Sequence, residues 1–253
     1  MRKASSPKQH MAEDKWSRIP NVTLKSGVMQ EFFTRTCRLV DQNKAAVLAV
    51  PNVDRLELRS LFLKTVERQG QTRHIRIMNG SSLPTPRDLE DDDGTSLLIL
   101  NGEDLPEGLQ WAIAENRLNF PVTILAVKSD NDQGTRRRWS NIFRDVCGPE
   151  TLAWPAWRER QEDHAGVLDE ILRQIRLPSG AVCPSLDAAA RDMLLSAELD
   201  GANHLEWTVN QAVRRYLASR DTSGCLGTKH FATPRQMRLL SSHRRIPALS
   251  IVK

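Results

Sequence analysis

Two arginines six residues apart, Arg138 and Arg144, and the tight run Arg158-Glu159-Arg160 are the side chains here best suited to chemistry. A guanidinium is permanently charged and presents a planar fork of donors, so it suits phosphate oxygens, carboxylates and developing anionic charge. The other reactive types are less organised. Cys37, Cys147, Cys183 and Cys225 form neither a CxxC pair nor a Cys/His metal spacing, and they read as reduced thiols. His10, His74, His164, His230 and His243 make no triad or ligand spacing. Asp91, Asp92 and Asp93 lack the glycine-bearing pattern of a calcium loop, so no metal site is expected.

Charge is moderate in sum and uneven in place. Thirty-six Lys and Arg against 31 Asp and Glu leave a net +5, with compact clusters at Arg136-Arg137-Arg138 and Arg244-Arg245. Such clusters bind phosphate backbones, although a charge run more often lines a solvated face. DNA contact through Arg136, Arg137, Arg244 and Arg245 therefore stays open, without the aromatic interleaving of single-strand binding surfaces. No apolar run approaches the ~20 residues of a membrane helix, and no apolar stretch follows the basic start. No membrane contact and a cytoplasmic location are expected.

The elements that must carry these residues alternate. Residues 1–20 are polar and read as a mobile arm. Helical periodicity over 26–42 precedes the apolar run Ala45–Val50, stopped by Pro51, and helical periodicity returns over 54–69 with Asp54 as N-cap. His74–Met78 alternates like a strand, and Ser96–Leu100 and Pro121–Val127 read as strands on either side of a helix over 105–117. Strands alternating with helices predict an α/β domain with a parallel sheet over 21–164. Beyond about residue 165 strand signals stop. Helices over 165–176, 185–197 and 203–219 predict a small all-helical domain over 165–220, before an irregular basic segment over 221–253.

Three stretches, in order and spacing, resemble the AAA+ module of sigma-54-dependent transcription activators. Asp93-Gly-Thr-Ser-Leu-Leu-Ile-Leu-Asn-Gly-Glu-Asp-Leu-Pro-Glu-Gly-Leu-Gln110 is similar to that family's Walker B strand and following helix, GGTLFLDEIGDLPLELQ. Arg138-Trp-Ser-Asn-Ile-Phe-Arg144, then Leu152-Ala-Trp-Pro-Ala-Trp-Arg-Glu-Arg-Gln-Glu-Asp163, resembles RxDLLYRL followed by LPPLRERxEDI. Pro184-Ser-Leu-Asp-Ala-Ala-Ala-Arg191 through Leu205-Glu-Trp-Thr-Val-Asn-Gln-Ala-Val213 is similar to the lid segment. The resemblance spans roughly 24–219 and implies a P-loop-NTPase-like sheet with a helical lid.

What such a module needs for catalysis is missing from the sequence. A P-loop wraps phosphates in glycine backbone and meets them with a lysine. The corresponding place, around Pro51, Asn52 and Asp54, has neither glycine nor lysine. Asp54 and Glu57 would set negative charge where phosphate should sit. The Walker B acids that hold Mg²⁺ and polarise water fall on Leu100 and Asn101, or with one insertion on Asn101 and Gly102; only a shifted backbone would bring in Glu103 or Asp104. No clear sensor-2 arginine stands near His204. The GAFTGA loop is cut short and no Fis-type helix-turn-helix is visible in 221–253. The expectation is no cofactor and no ATPase activity.

What survives is the outward-facing part. By the resemblance, Arg138 and Arg144 match arginine fingers that reach a neighbour's ATP site in trans. Arg158, Glu159 and Arg160 match an interdomain joint, expected to be an ion network packed by Trp154, Trp157 and Trp207, with Trp139 on the surface. The implied function is transcription regulation through protein contact, the partner being an AAA+ paralogue, a second copy or the transcription machinery. A DNA-binding accessory and an ATPase with an unconventional site remain alternatives.

Overall fold

The computed structural model describes residues 24–42, 45–51, 55–70, 74–82, 89, 94–128, 138–175, 177, 184–219 and 223–232. They fall into two compact units, Met1–Arg160 and Gln161–Lys253. The division lies after Arg160, where the sequence suggested 164. The expected N-terminal arm lies outside the described residues, as do Arg136, Arg137, Arg244 and Arg245.

The first unit is built on strands β1 (Ala46–Val50), β2 (His74–Asn79), β3 (Thr95–Leu100), β4 (Thr123–Lys128) and β5 (Thr151–Ala153). They form one sheet in the order β2-β3-β4-β1-β5, and every pairing is parallel. All residues of β1 and β3 are buried, the state that continuous apolar runs anticipate when both faces of a sheet are covered. Alternation divides each strand between two cores. Leu48 and Val50 face Met29, Phe32, Leu58, Leu61 and Phe62. Val47 and Ala49 face Leu109, Ile113, Phe143 and Val146.

The helices supplying those residues are α1 (Gly27–Asp41), α2 (Arg55–Arg68), α3 (Glu107–Glu115) and α4 (Asn141–Cys147). Ser26 caps α1, its hydroxyl accepting from the Met29 amide at 3.3 Å. Cys37 and Cys147 are buried and form no disulfide among the described residues, and burial raises the Cys37 pKa. β5 escapes the sequence periodicity because three residues are too few to show alternation.

The second unit contains α5 (Gln161–Gln174), α6 (Ala188–Ser196) and α7 (Ala202–Ser219). Helix α5 starts four residues earlier than periodicity suggested, and Glu162 and Asp163 in its first turn complement its dipole. Val167, Leu168 and Ile171 of α5 and Leu205, Val209 and Ala212 of α7 are buried where these two helices pack. Asp187 caps α6, accepting from the Ala190 amide at 2.6 Å. The unit is not wholly helical. Ser185–Leu186 (β6) and Cys225–Leu226 (β7) form a short parallel pair, so part of the segment expected to be irregular is ordered against α6.

Candidate functional site: the carboxyl edge of the sheet

In open parallel sheets, ligands bind outside the carboxyl ends of the strands. At that edge lie Pro51 after β1, Asn101–Asp104 after β3, Lys128 at the end of β4, and Trp154 after β5, whose amide donates to the Ala49 carbonyl at 2.8 Å. Pro51 is exposed, whereas Asn52 and Asp54 lie outside the described residues.

The most unusual group stands at the start of α2. Counting the P-loop pattern G-x-x-x-x-G-K-[ST] from Pro51, the first residue after β1, sets the second glycine on Leu56 and the lysine on Glu57. Glu57 is fully buried and Arg160 is 2% exposed. The two meet as a fork: Arg160 Nη2 donates to Glu57 Oε2 at 2.9 Å and Nη1 donates to Oε1. The guanidinium lies 4.9 Å from the Trp157 ring centre and 5.8 Å from that of Trp154. This corrects the picture of Glu57 as an open negative charge at a helix terminus, because its charge is matched by a cation 103 residues away. The pair Arg160 makes closes within the first unit. Arg158 and Glu159 are exposed, and Glu159 Oε2 accepts from the Ala156 amide at 3.1 Å.

The turn after β3 is fixed tightly. Leu100 is buried, and Asn101 adopts a left-handed conformation (φ 52°) tolerated by its short polar side chain, which donates to Asn79 Oδ1 at 2.8 Å. Gly80 passes so close beneath that an added Cβ would collide with the Asn101 carbonyl oxygen. Trp139 Nε1 donates to the Gly102 carbonyl at 3.1 Å, and Trp139 is buried, not on the surface as expected. An indole this large covers the turn, and its basic neighbours gave no sign of that.

The two acids of this turn are differently placed. The Glu103 carboxylate is buried without a hydrogen-bond partner among the described residues, and Lys128 Nζ lies 3.4 Å away. Asp104 Oδ2 accepts from Ser81 Oγ at 2.8 Å. Sequence reading did not single out Lys128; the signal was a lysine closing an apolar strand at the ligand edge. No cluster of three or more metal-ligating side chains occurs among the described residues.

Arg138 and Arg144 are both exposed, flanking the Ser140 N-cap of α4. Arg144 donates to the Asn141 side chain. Helix α4 is held in place by Gln110 of α3, whose Oε1 accepts from the Ser140 amide at 2.7 Å while its Nε2 donates to the Leu105 carbonyl at 2.8 Å. In the second unit, His204 near the start of α7 is buried, and its Nδ1 accepts from the Asp200 amide at 3.4 Å. Burial lowers its pKa and the Asp200 carboxylate partly opposes that.

No protein-family model and no curated protein sequence matches the chain. Solved structures do. NtrX from Brucella abortus in complex with ADP aligns with a TM-score of 0.60 at 13% identity, over 90% of this chain and 60% of that one. The same protein in complex with ATP aligns at 0.58 and 15% identity, over 91% and 63%. The RuvB Holliday junction branch migration motor of Thermotoga maritima aligns at 0.55 and 10% identity, over 88% and 72%. The chain thus spans about three-fifths of the NtrX structures. At these identities the likeness is one of fold: an AAA+ P-loop-NTPase-like parallel sheet, here followed by a mainly helical unit.

Proposed function

We propose that this AAA+-fold chain is a non-catalytic transcription regulatory protein, similar to the sigma-54 interaction module, that acts by contact with an AAA+ activator or with the transcription machinery. The observation that carries the reading is Glu57. A nucleotide phosphate needs a cation and free backbone amides at the start of this helix. The residues here do not fit it: a carboxylate stands at the lysine position, its charge taken up by Arg160 beneath two indoles. The metal fares no better, since Glu103 faces Lys128 and Asp104 is engaged by Ser81.

The exposed Arg138 and Arg144 support a role in trans. A guanidinium offered across an interface stabilises charge developing on a neighbour's transferring phosphoryl group, and it needs no nucleotide site of its own. This chain would then complete another subunit's site.

Two measurements test the reading. ATP or ADP with Mg²⁺ at millimolar concentration should leave the melting temperature unchanged, whereas a ligand at a hundredfold its dissociation constant would add about 2.7 kcal/mol. Mixed with a competent AAA+ activator, the chain should form a complex and change its ATPase rate, and Arg138→Ala or Arg144→Ala should abolish the change while the complex persists. Saturable stabilisation by nucleotide, or indifference of the partner's rate to both arginines, would overturn it.

A further inference from the structure

Glu103 belongs to the 3-10 turn Gly102–Asp104 that follows β3, and it is buried there. Among the described residues neither of its carboxylate oxygens accepts a hydrogen bond. Its charge is met by Lys128 at the end of β4, whose Nζ lies 3.4 Å from Oε1. That separation exceeds the ~2.7–2.9 Å of a formed charge-assisted bond, so the pairing is coulombic. The two partners differ in access. The Lys128 side chain is 53% exposed, whereas that of Glu103 is 5% exposed.

The turn cannot carry Glu103 out to water without being rebuilt. Asn101 before it is left-handed and tied to Asn79. Gly102 packs so closely on β4 that an added Cβ would stand 3.3 Å from Val127 Cγ1 and 3.4 Å from Leu125 Cδ2. Trp139 Nε1 holds the Gly102 carbonyl. The same tryptophan directly precedes Ser140, the N-cap of α4, whose hydroxyl accepts from the Phe143 amide at 3.4 Å. Turn and helix start therefore share one indole. A buried carboxylate stripped of its counter-charge must take up a proton or reach water. Reaching water here breaks the contact with Trp139.

We propose that Lys128 is a charge switch operated by acylation of its Nζ: loss of the cation strands the Glu103 carboxylate and loosens the turn on which Trp139 and the start of α4 rest. The co-reactant class is an acyl phosphate. The uncharged amine attacks the acyl carbonyl carbon, and a C–N bond forms as the C–O bond to phosphate breaks. Phosphate leaves with the electron pair, and the nitrogen loses a proton to water. The product is a neutral amide, which can still donate a hydrogen bond but cannot balance a buried charge. The half-exposed amine is within reach of such a reagent, and its carboxylate partner stays covered. The proposal concerns this chain's own turn and does not depend on the regulatory reading above.

The test uses the full chain. After incubation with acetyl phosphate, peptide mass spectrometry should find an acetyl group on Lys128. Lys128→Gln, which carries an uncharged amide, should accelerate amide exchange across Gly102–Leu105 and Asn141–Cys147 by about tenfold or more, as expected for stranding one buried polar group. The acetylated parent should show the same pattern. Lys128→Arg keeps the charge and should exchange like the parent. Glu103→Gln combined with Lys128→Gln removes both charges and should recover most of the protection. The proposal fails if acetyl phosphate labels other lysines and spares Lys128, or if Lys128→Gln exchanges like the parent. It fails equally if the arginine variant is as perturbed as the glutamine one, or if the double variant is no better protected than Lys128→Gln alone.

Discussion

At the scale of single residues, the Glu57–Arg160 pair concentrates what sequence could and could not reveal. That no lysine follows β1 is plain from the sequence, and so is the acid in the first turn of α2. Its partner was not, because 103 residues separate the two and nothing local to Glu57 predicts complete burial. An unpaired carboxylate at that depth would be untenable, so the two charges are interdependent. Arg160→Met should destabilise the chain by about 3–5 kcal/mol by leaving Glu57 uncompensated. Replacing both, as Glu57→Met with Arg160→Met, should recover most of that loss, since apolar side chains of similar volume often match a buried ion pair. Urea unfolding of the two single variants and the double closes the cycle. Additive losses would mean that the charges are not coupled.

At the scale of elements, the strands were legible and the clasps between elements were not. The runs read as strands at 45–50, 96–100 and 121–127 appear as β1, β3 and β4 to within a few residues, because burial on both faces needs continuous apolar sequence. The helix expected over 105–117 is shorter, Glu107–Glu115, then a 3-10 turn over Arg117–Asn119. Gln110 sits on the side of that helix toward α4 and reads as an ordinary polar residue in sequence. In the structure it is buried and joins the Ser140 amide to the Leu105 carbonyl. It therefore sets where α4 begins and how Arg138 and Arg144 are offered. Gln110→Ala should cost about 1–3 kcal/mol by orphaning buried backbone groups, and amide exchange should accelerate across Asn141–Cys147. Arg144→Ala, at an exposed position, should change stability by no more than about 0.5 kcal/mol. Unaltered exchange in α4 for the glutamine variant would show that Gln110 does not position it.

At the scale of the whole molecule, the chain is two compact units with different sensitivities. The α/β unit holds its buried charge pair, Glu57 with Arg160, in its core. In the second unit, His204 is buried near the start of α7, its Nε2 without a hydrogen-bond partner among the described residues. Burial disfavours the charged ring, so its pKa falls below the ordinary 6.5, with the Asp200 carboxylate acting in the opposite sense. The sign follows from proton counting. Between the folded pKa and 6.5 the unfolded chain binds the proton more readily, so stability is fully present above 6.5 and is lost as pH falls through the folded value. Trp207, 6.3 Å from the imidazole, is the unit's only tryptophan and reports on it directly. The urea midpoint of this unit should drop as pH is lowered from about 7.5 to 5.5. His204→Gln should flatten that dependence by removing the titrating group, and a slope that survives the substitution would assign the acid sensitivity elsewhere.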